Sequence, residues 1–279
     1  LPTPHNHILP TIATVGDLTR RAGELTLTYF RKHLSIADKG HNLGIVTEAD
    51  LASEKYLKES ITGSFPSHAI LAEESGMQEN STQSGVIWII DPLDGTTNFS
   101  KGNPYYCVSV AVGVRTGTGC VIERAAIHHP FLNDLYTAER GKGAFLNGNP
   151  IHVSTLTEFS QASMTTGFAG NKKERLNYVI RTIEIFQNRI LGMRVNGAAA
   201  LDCCNTARGL FQGFFERNLS PWDLAAGSLI LSEAGAVVTD MEGREYHPLT
   251  TRDICAANPS LHEQMLETIK IAGPWPGPA

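Results

Sequence analysis

Several features are missing from this 279-residue chain, and each absence removes a class of function. No apolar run approaches the ~20 residues that cross a bilayer, so a membrane partner is not expected. Residues 1–10 carry proline and histidine but no apolar stretch of the signal-peptide kind, and are expected to form a flexible arm. Basic residues are the minority, 23 against 28 acidic ones, for a formal net charge of -5 at pH 7. A nucleic-acid groove needs a basic stripe, so no nucleic acid is expected as a partner. The five cysteines are odd in number and contain no C-x-x-C pair, which argues against both a disulfide framework and a zinc site. They read as reduced, buried thiols of a cytoplasmic protein. The turn Gly141-Lys142-Gly143 lacks the spacing of a nucleotide-binding P-loop.

What is present is ordinary globular composition, 42% hydrophobic and 18% charged, in a chain long enough for one large domain or two packed halves. Ile12, Val15, Leu18, Ala22, Leu25 and Tyr29 recur at steps of three and four and predict an amphipathic first helix. Thr47-Glu48-Ala49-Asp50 predicts a capping box, with Thr47 as N-cap and Asp50 at the third helical position. Residues 67–71 and 86–90 are apolar runs expected as strands, the first delivering Glu73 and the second ending at Asp91, where Pro92 stops the ladder. Residues 76–85 read as a polar loop. Tyr106 to Val114 alternates in strand fashion, and Gly117-Thr118-Gly119 returns it as a hairpin into residues 120–128. His128 and His129 are strand neighbours that point to opposite faces, so they are not expected to share an ion.

Leu135 to Ala138 and Ala144 to Leu146 are expected as edge strands. Near Val153 the pattern turns to strands alternating with helices, which divides the chain into an expected N-terminal half, 11–152, and a C-terminal half, 153–279. In the second half Leu176, Val179, Ile180, Ile183 and Phe186 stripe a helix toward the core. Residues 197–210 form an alanine-rich helix, residues 211–216 a strand ending on Glu216, and Trp222-Asp223 opens another helix with Asp223 as N-cap.

The chemistry is concentrated between Trp88 and Phe99. Asp91 and Asp94 stand at the carboxyl edge of an apolar strand, followed by Gly95-Thr96-Thr97-Asn98. Carboxylates so placed can hold hard divalent cations, and the free N–H groups of such a turn can face an anion. The plain alternative is a turn-starting Asp91 before an ordinary Asp-Gly turn.

The whole run Asp91-Pro92-Leu93-Asp94-Gly95-Thr96-Thr97-Asn98-Phe99 resembles the first signature of the inositol monophosphatase family of magnesium-dependent, lithium-sensitive phosphatases. Supporting segments follow the family's order: Lys39, Val46 to Asp50, Ile70 to Ser75 (with Ala72 at a usual glycine), Gly141 to Gly148, and Trp222 to Gly227 running on to Glu233-Ala234-Gly235. The resemblance spans roughly residues 11 to 270. It implies an α/β fold, the layered αβαβα sandwich of the inositol monophosphatase and fructose-1,6-bisphosphatase type, commonly as a homodimer.

The resemblance also implies site roles. Glu73, Asp91 and the Leu93 carbonyl would hold one Mg²⁺, Asp91, Asp94 and Asp223 a second, and Glu73 a third through water. Thr96 and Glu73 would position the attacking water, with Asp50 orienting Thr96, so that two jobs compete for the Asp50 carboxylate. Gly95 and Thr96 N–H groups and Lys39 would meet the phosphate. Asp94, the backbone at Ala199 and above all Glu216 would meet the alcohol part, while Ala198 lacks the hydroxyl common there in the family. The implied activity is hydrolysis of inositol monophosphate or a similar small polyol phosphate. Fructose-1,6-bisphosphate, histidinol phosphate and adenosine 3′,5′-bisphosphate are alternative substrates on this scaffold. A non-catalytic phosphate-binding regulator is the alternative of another class, and Glu73, Asp91, Asp94, Thr96 and Asp223 standing together argue against it.

Overall fold

The computed structural model describes residues 8–38, 45–79, 85–117, 119–168 and 173–277. Lys39 lies outside them, as does most of the N-terminal arm. In chain order the first part contains α1 (Ile12–Tyr29), β1 (Ile36–Asp38), β2 (Ile45–Thr47), α2 (Glu48–Ser64), β3 (Ala69–Ala72), β4 (Gly76–Gln78), β5 (Val86–Asp94), α3 (Thr96–Ser100), β6 (Cys107–Thr116), β7 (Gly119–His129), β8 (Asp134–Glu139), β9 (Ala144–Leu146) and β10 (Asn149–Ile151). The remainder contains β11 (Ser163–Thr166), α4 (Lys173–Gln187), β12 (Gly192–Val195), α5 (Ala199–Ala207), β13 (Gly213–Arg217), α6 (Pro221–Glu233), β14 (Val237–Thr239), β15 (Asp253–Ala257) and α7 (Pro259–Ile271).

Strands β3 to β10 form one sheet in the order β10-β9-β8-β7-β6-β5-β3-β4, antiparallel except for the β3–β5 pair. A second sheet runs β12-β11-β13-β15-β14. Helices α1 and α2 cover one face of the large sheet, α5 and α6 fill the space between the sheets, and α4 and α7 cover the far face of the small one. The result is the five-layer αβαβα sandwich.

The layering explains the sequence of β5, which is buried along its whole length. Trp88 and Ile90 pack toward α1 and α2 with Val15, Leu57 and Ile61. Ile87 and Ile89 face the middle layer with Leu201, Leu224 and Leu229. A strand covered on both faces has no polar side, so it reads as a continuous apolar run. Helix α6, trapped between two sheets, is likewise apolar nearly all round. At Gly227 it meets α5 so closely that a Cβ would lie 2.6 Å from Cys203 Cβ. All five cysteines are free and buried, and no helix of the described residues is long and apolar enough to cross a membrane.

Some local expectations give way to packing. Strand β8 is interior, because the β9–β10 hairpin continues the sheet beyond it and β10 takes the edge. Part of the expected loop after Glu74 is strand β4, the opposite edge. Helix α4 buries Arg175, Tyr178, Val179, Thr182 and Phe186, while Leu176 and Ile180 are 37% and 51% exposed. The face is rotated because Arg175 and Tyr178 are held under the C-terminal segment, Tyr178 edge-on to Trp275 and Arg175 over the same ring. Strand β13 runs one residue past Glu216, and Ser220 rather than Asp223 is the N-cap of α6.

His128 ends up against α1, where a Cβ on Gly23 would come within 2.2 Å of its Nδ1. Burial pushes its pKa down to about 4 from an ordinary 6.5. The neutral ring is therefore favoured by folding, and between those values the unfolded chain binds the extra proton. The contribution of His128 to stability is complete above pH 6.5 and is lost as pH falls toward 4. Urea unfolding at several pH values should show a shallower acid loss for His128→Asn than for wild type over that window; parallel curves would contradict this.

Candidate active site

The site begins with an irregularity in β5. Asp91 pairs with Ser109 and Asp94 with Cys107, so three steps on β5 oppose two on β6. In a regular strand residues three apart point to opposite faces; one extra residue restores them to the same side. Pro92 thus marks a bulge rather than the strand's end. Its carbonyl accepts from Ser53 Oγ at 2.8 Å, and the Leu93 N–H donates to Asp91 Oδ1 at 3.0 Å.

Glu73 arrives from the neighbouring strand. The parallel β3–β5 register sets Ala72 beside Ile90, and the Glu73 N–H donates to the Ile90 carbonyl at 3.2 Å. Asp223 arrives from α6, where it sits at the third helical position and its Oδ2 accepts the Ser220 N–H at 2.6 Å. The four carboxylates are electrostatically one group. Asp91, 1% exposed, is held well above the usual carboxylate range by burial, then by the charges of Glu73, Asp94 and Asp223. Asp94 is raised by burial and by Asp223, against a 2.7 Å bond from the Ala200 N–H that favours its charge.

The turn after β5 carries Gly95 at φ +90°, a left-handed conformation, and a Cβ there would lie 3.0 Å from the Tyr105 carbonyl and 3.1 Å from Ala198 Cβ. Thr96 donates from its hydroxyl to Asp50 Oδ1 at 2.9 Å, with the Leu93 carbonyl at 3.1 Å. The supposed conflict over Asp50 is resolved by its two oxygens. Oδ2 takes the Thr47 N–H and hydroxyl at 2.8 and 2.6 Å, completing the capping box of α2, and Oδ1 remains for Thr96.

Glu216 belongs to the same acidic field. Burial raises it well above the usual range, followed by Asp202, Asp223 and Asp94. Its carboxylate rests on Gly167, where a Cβ would stand 2.1 Å from Oε1. Ala199 opens α5, one residue before the N–H that reaches Asp94. The sequence reading missed Tyr105, Asn98 and Asn196 and gave Asp202 no role, although the Tyr105 and Asn196 side chains donate to Asp202 and the Asn98 amide donates to the Tyr105 and Asn196 carbonyls. Asn98 lies inside the recognisable signature, but nothing local connects it with residues a hundred positions away.

Another acidic group is tighter. The carboxylate oxygens of Asp240, Glu242 and Asp253 lie within 4.8 Å of one another, the one such set among the described residues. Arg217 pairs with Glu242 and Asp253, and Arg244 with Asp240 and Glu242, so this is a compensated ion-pair network. The Asp91 group spreads more widely and its strongest electrostatic influences are negative. Buried carboxylates that repel one another require protons or cations. An all-oxygen donor set suits Mg²⁺, a hard ion that keeps part of its water shell.

A protein-family model described as the inositol monophosphatase family matches residues 10–273. The Nus factor SuhB of Escherichia coli is 39% identical over 253 residues, covering 90% of this chain and 92% of that protein. Among solved structures, the extragenic suppressor protein suhB of Bartonella henselae superposes with a TM-score of 0.85 at 31% identity, covering 93% of this chain and 98% of its own. An IMPase of Thermotoga maritima gives 0.84 at 30% identity, with coverage of 94% and 97%.

The division of labour on Asp50 can be tested by removing one partner at a time. Thr47→Val should cost about 1 kcal/mol of stability through the lost cap, measured by urea unfolding. Thr96→Val strips the donor from Oδ1 of the buried Asp50 and should cost about 1–3 kcal/mol, while the Thr47 bonds to Oδ2 persist. A stability loss confined to the Thr96 variant would reverse the assignment.

Proposed function

Because the chain belongs to the inositol monophosphatase family, we propose that it is a Mg²⁺-dependent phosphomonoesterase acting on inositol monophosphate or a similar small polyol phosphate. The observation that carries this reading is the convergence of Glu73, Asp91, Asp94 and Asp223 from three elements, with Glu73 and Asp223 disfavouring charge on Asp91 and Asp94, beside a threonine hydroxyl held by Asp50. Glu73, Asp91, the Leu93 carbonyl, Asp94 and Asp223 would hold two to three Mg²⁺ ions. When bound, such ions neutralise phosphate charge and make a bound water more acidic.

The chain's own groups supply the positioning. With its proton committed to Asp50 or the Leu93 carbonyl, the Thr96 oxygen has a lone pair to accept a proton of the attacking water, and Glu73 would take the other side. The Gly95 and Thr96 N–H groups would bind phosphate oxygens, the glycine letting the backbone approach. No side-chain nucleophile is needed. Because Ala198 offers no hydroxyl, selection of the alcohol would fall on Glu216, a carboxylate able to accept from neighbouring ring hydroxyls. The reading includes a cytoplasmic homodimer and inhibition by Li⁺ at the ion position of Asp91, Asp94 and Asp223.

A second reading is favoured by the name of the Escherichia coli relative, a Nus factor: a regulatory role beside or in place of hydrolysis. Phosphate release from a panel of sugar, polyol and nucleotide phosphates, with and without Mg²⁺, separates the two. Absence of Mg²⁺-dependent release from every ester would leave only the regulatory reading.

Two substitutions sharpen the test. Asp91→Asn keeps shape while removing the charge proposed to bridge two ions, and activity should fall by orders of magnitude with the fold intact. Retention of more than about a tenth of wild-type rate at saturating Mg²⁺ would contradict the ligand assignment. Glu216→Gln should lower kcat/KM for inositol phosphate roughly ten- to a hundredfold while barely altering glycerol 2-phosphate. Equal losses on both substrates would remove Glu216 from the specificity role.

A further inference from the structure

One buried carboxylate near the site has no part in the chemistry above. Asp202, in the first turn of α5, is 1% exposed. Its Oδ1 accepts from the Tyr105 hydroxyl at 2.5 Å and from Asn196 Nδ2 at 2.8 Å. Both donors are neutral, and the charge they hold adds to the negative field on Asp94 and Glu216. Burial raises the Asp202 pKa to about 6, with the Tyr105 and Asn196 bonds holding it down. A buried carboxylate that gathers donors from two separate segments needs a reason.

The donors show what it ties together. Asn98, three residues after Gly95, donates from Nδ2 to the carbonyls of Tyr105 at 2.9 Å and Asn196 at 2.8 Å. Asn103 Nδ2 in turn donates to Asn98 Oδ1 at 2.9 Å. Asn205, one turn beyond Asp202, donates to the Tyr105 hydroxyl at 2.9 Å. Between Asn196 and Asp202 lies Ala200, whose N–H reaches Asp94 at 2.7 Å. Three segments therefore meet at Asp202: the signature turn, the 103–105 loop, and the entry to α5.

We propose that Asp202 is a positioning residue, which clamps Tyr105 and Asn196 so that α5 presents the Ala200 N–H to Asp94 and the Gly95-Thr96 turn keeps its place. It rests on the reading of Asp94 as an ion ligand. Partners of this indirect kind typically change ion affinity or activity by about ten- to a hundredfold when lost.

The test compares wild type, Asp202→Ala, Asp202→Asn and Tyr105→Phe. The readouts are Mn²⁺ binding, followed by water-proton relaxation, and kcat/KM on inositol phosphate. Asp202→Ala should weaken both by about ten- to a hundredfold, and Tyr105→Phe by a smaller factor in the same direction. Asp202→Asn, which keeps an acceptor oxygen, should recover most of the loss. The double variant should be no worse than Asp202→Ala alone, because Tyr105 acts through the carboxylate. Should Asp202→Ala fail to fold, Tyr105→Phe, which removes one hydroxyl and leaves the charge, decides the matter. Wild-type Mn²⁺ affinity and kcat/KM in Tyr105→Phe, and in Asp202→Ala where it folds, with only the melting temperature changed, would overturn the proposal. A wild-type protein that binds Mn²⁺ but releases no phosphate would instead overturn the phosphatase reading, and the ratio of Mn²⁺ affinities would still judge Asp202.

Discussion

Mutual repulsion among Glu73, Asp91, Asp94 and Asp223 is the constraint around which the surrounding structure is organised. Left to themselves, such groups would move apart or take up protons. Backbone geometry limits that separation. A parallel strand register fixes Glu73 beside Asp91, a bulge turns Asp94 to the side of Asp91, and a helix cap anchors Asp223 through the Ser220 N–H. Each of these devices uses hydrogen bonds that folding must satisfy in any case, so the strained arrangement is assembled from ordinary parts.

The Asp240, Glu242 and Asp253 group shows why acidic density alone says little about function. One ligand oxygen from each lies within 4.8 Å of the others, but two guanidinium groups lie among them, and one of these lies over the rings of both Tyr178 and Trp275. There the charge is cancelled from within the chain. At Asp91 the nearest influences are of the same sign, so cancellation has to come from outside.

Asp91 to Thr96 and the Thr47–Asp50 box are short runs in which local rules apply, whereas Glu73, Glu216 and Asp223 were joined to them only by the family resemblance. The failures all involve information from elsewhere. Pro92 locally signals the end of a strand, and only the pairing with β6 reveals a bulge. The apolar Leu176 and Ile180 signal an inward face, yet Arg175 takes that side because Trp275, a hundred residues later, offers its ring. β4 and β12 are short edge strands with too few residues for a period to register. Asp202 looked like any polar residue in an alanine-rich helix, since its partner Tyr105 is 97 positions away. The layers were implied by the family resemblance rather than by apolar runs, which mark single strands and helices but not their order within each sheet.

The contact between Gly167 and Glu216 has an evolutionary consequence. A Cβ at 167 would occupy the space of the Glu216 carboxylate, so alanine there would make that flexible chain end swing aside. A lineage acquiring alanine at 167 would thus carry its first effect into the placement of the Glu216 carboxylate. Substitutions at the exit of β11 and at the acid of β13 would then be felt together, although the two positions lie on separate strands.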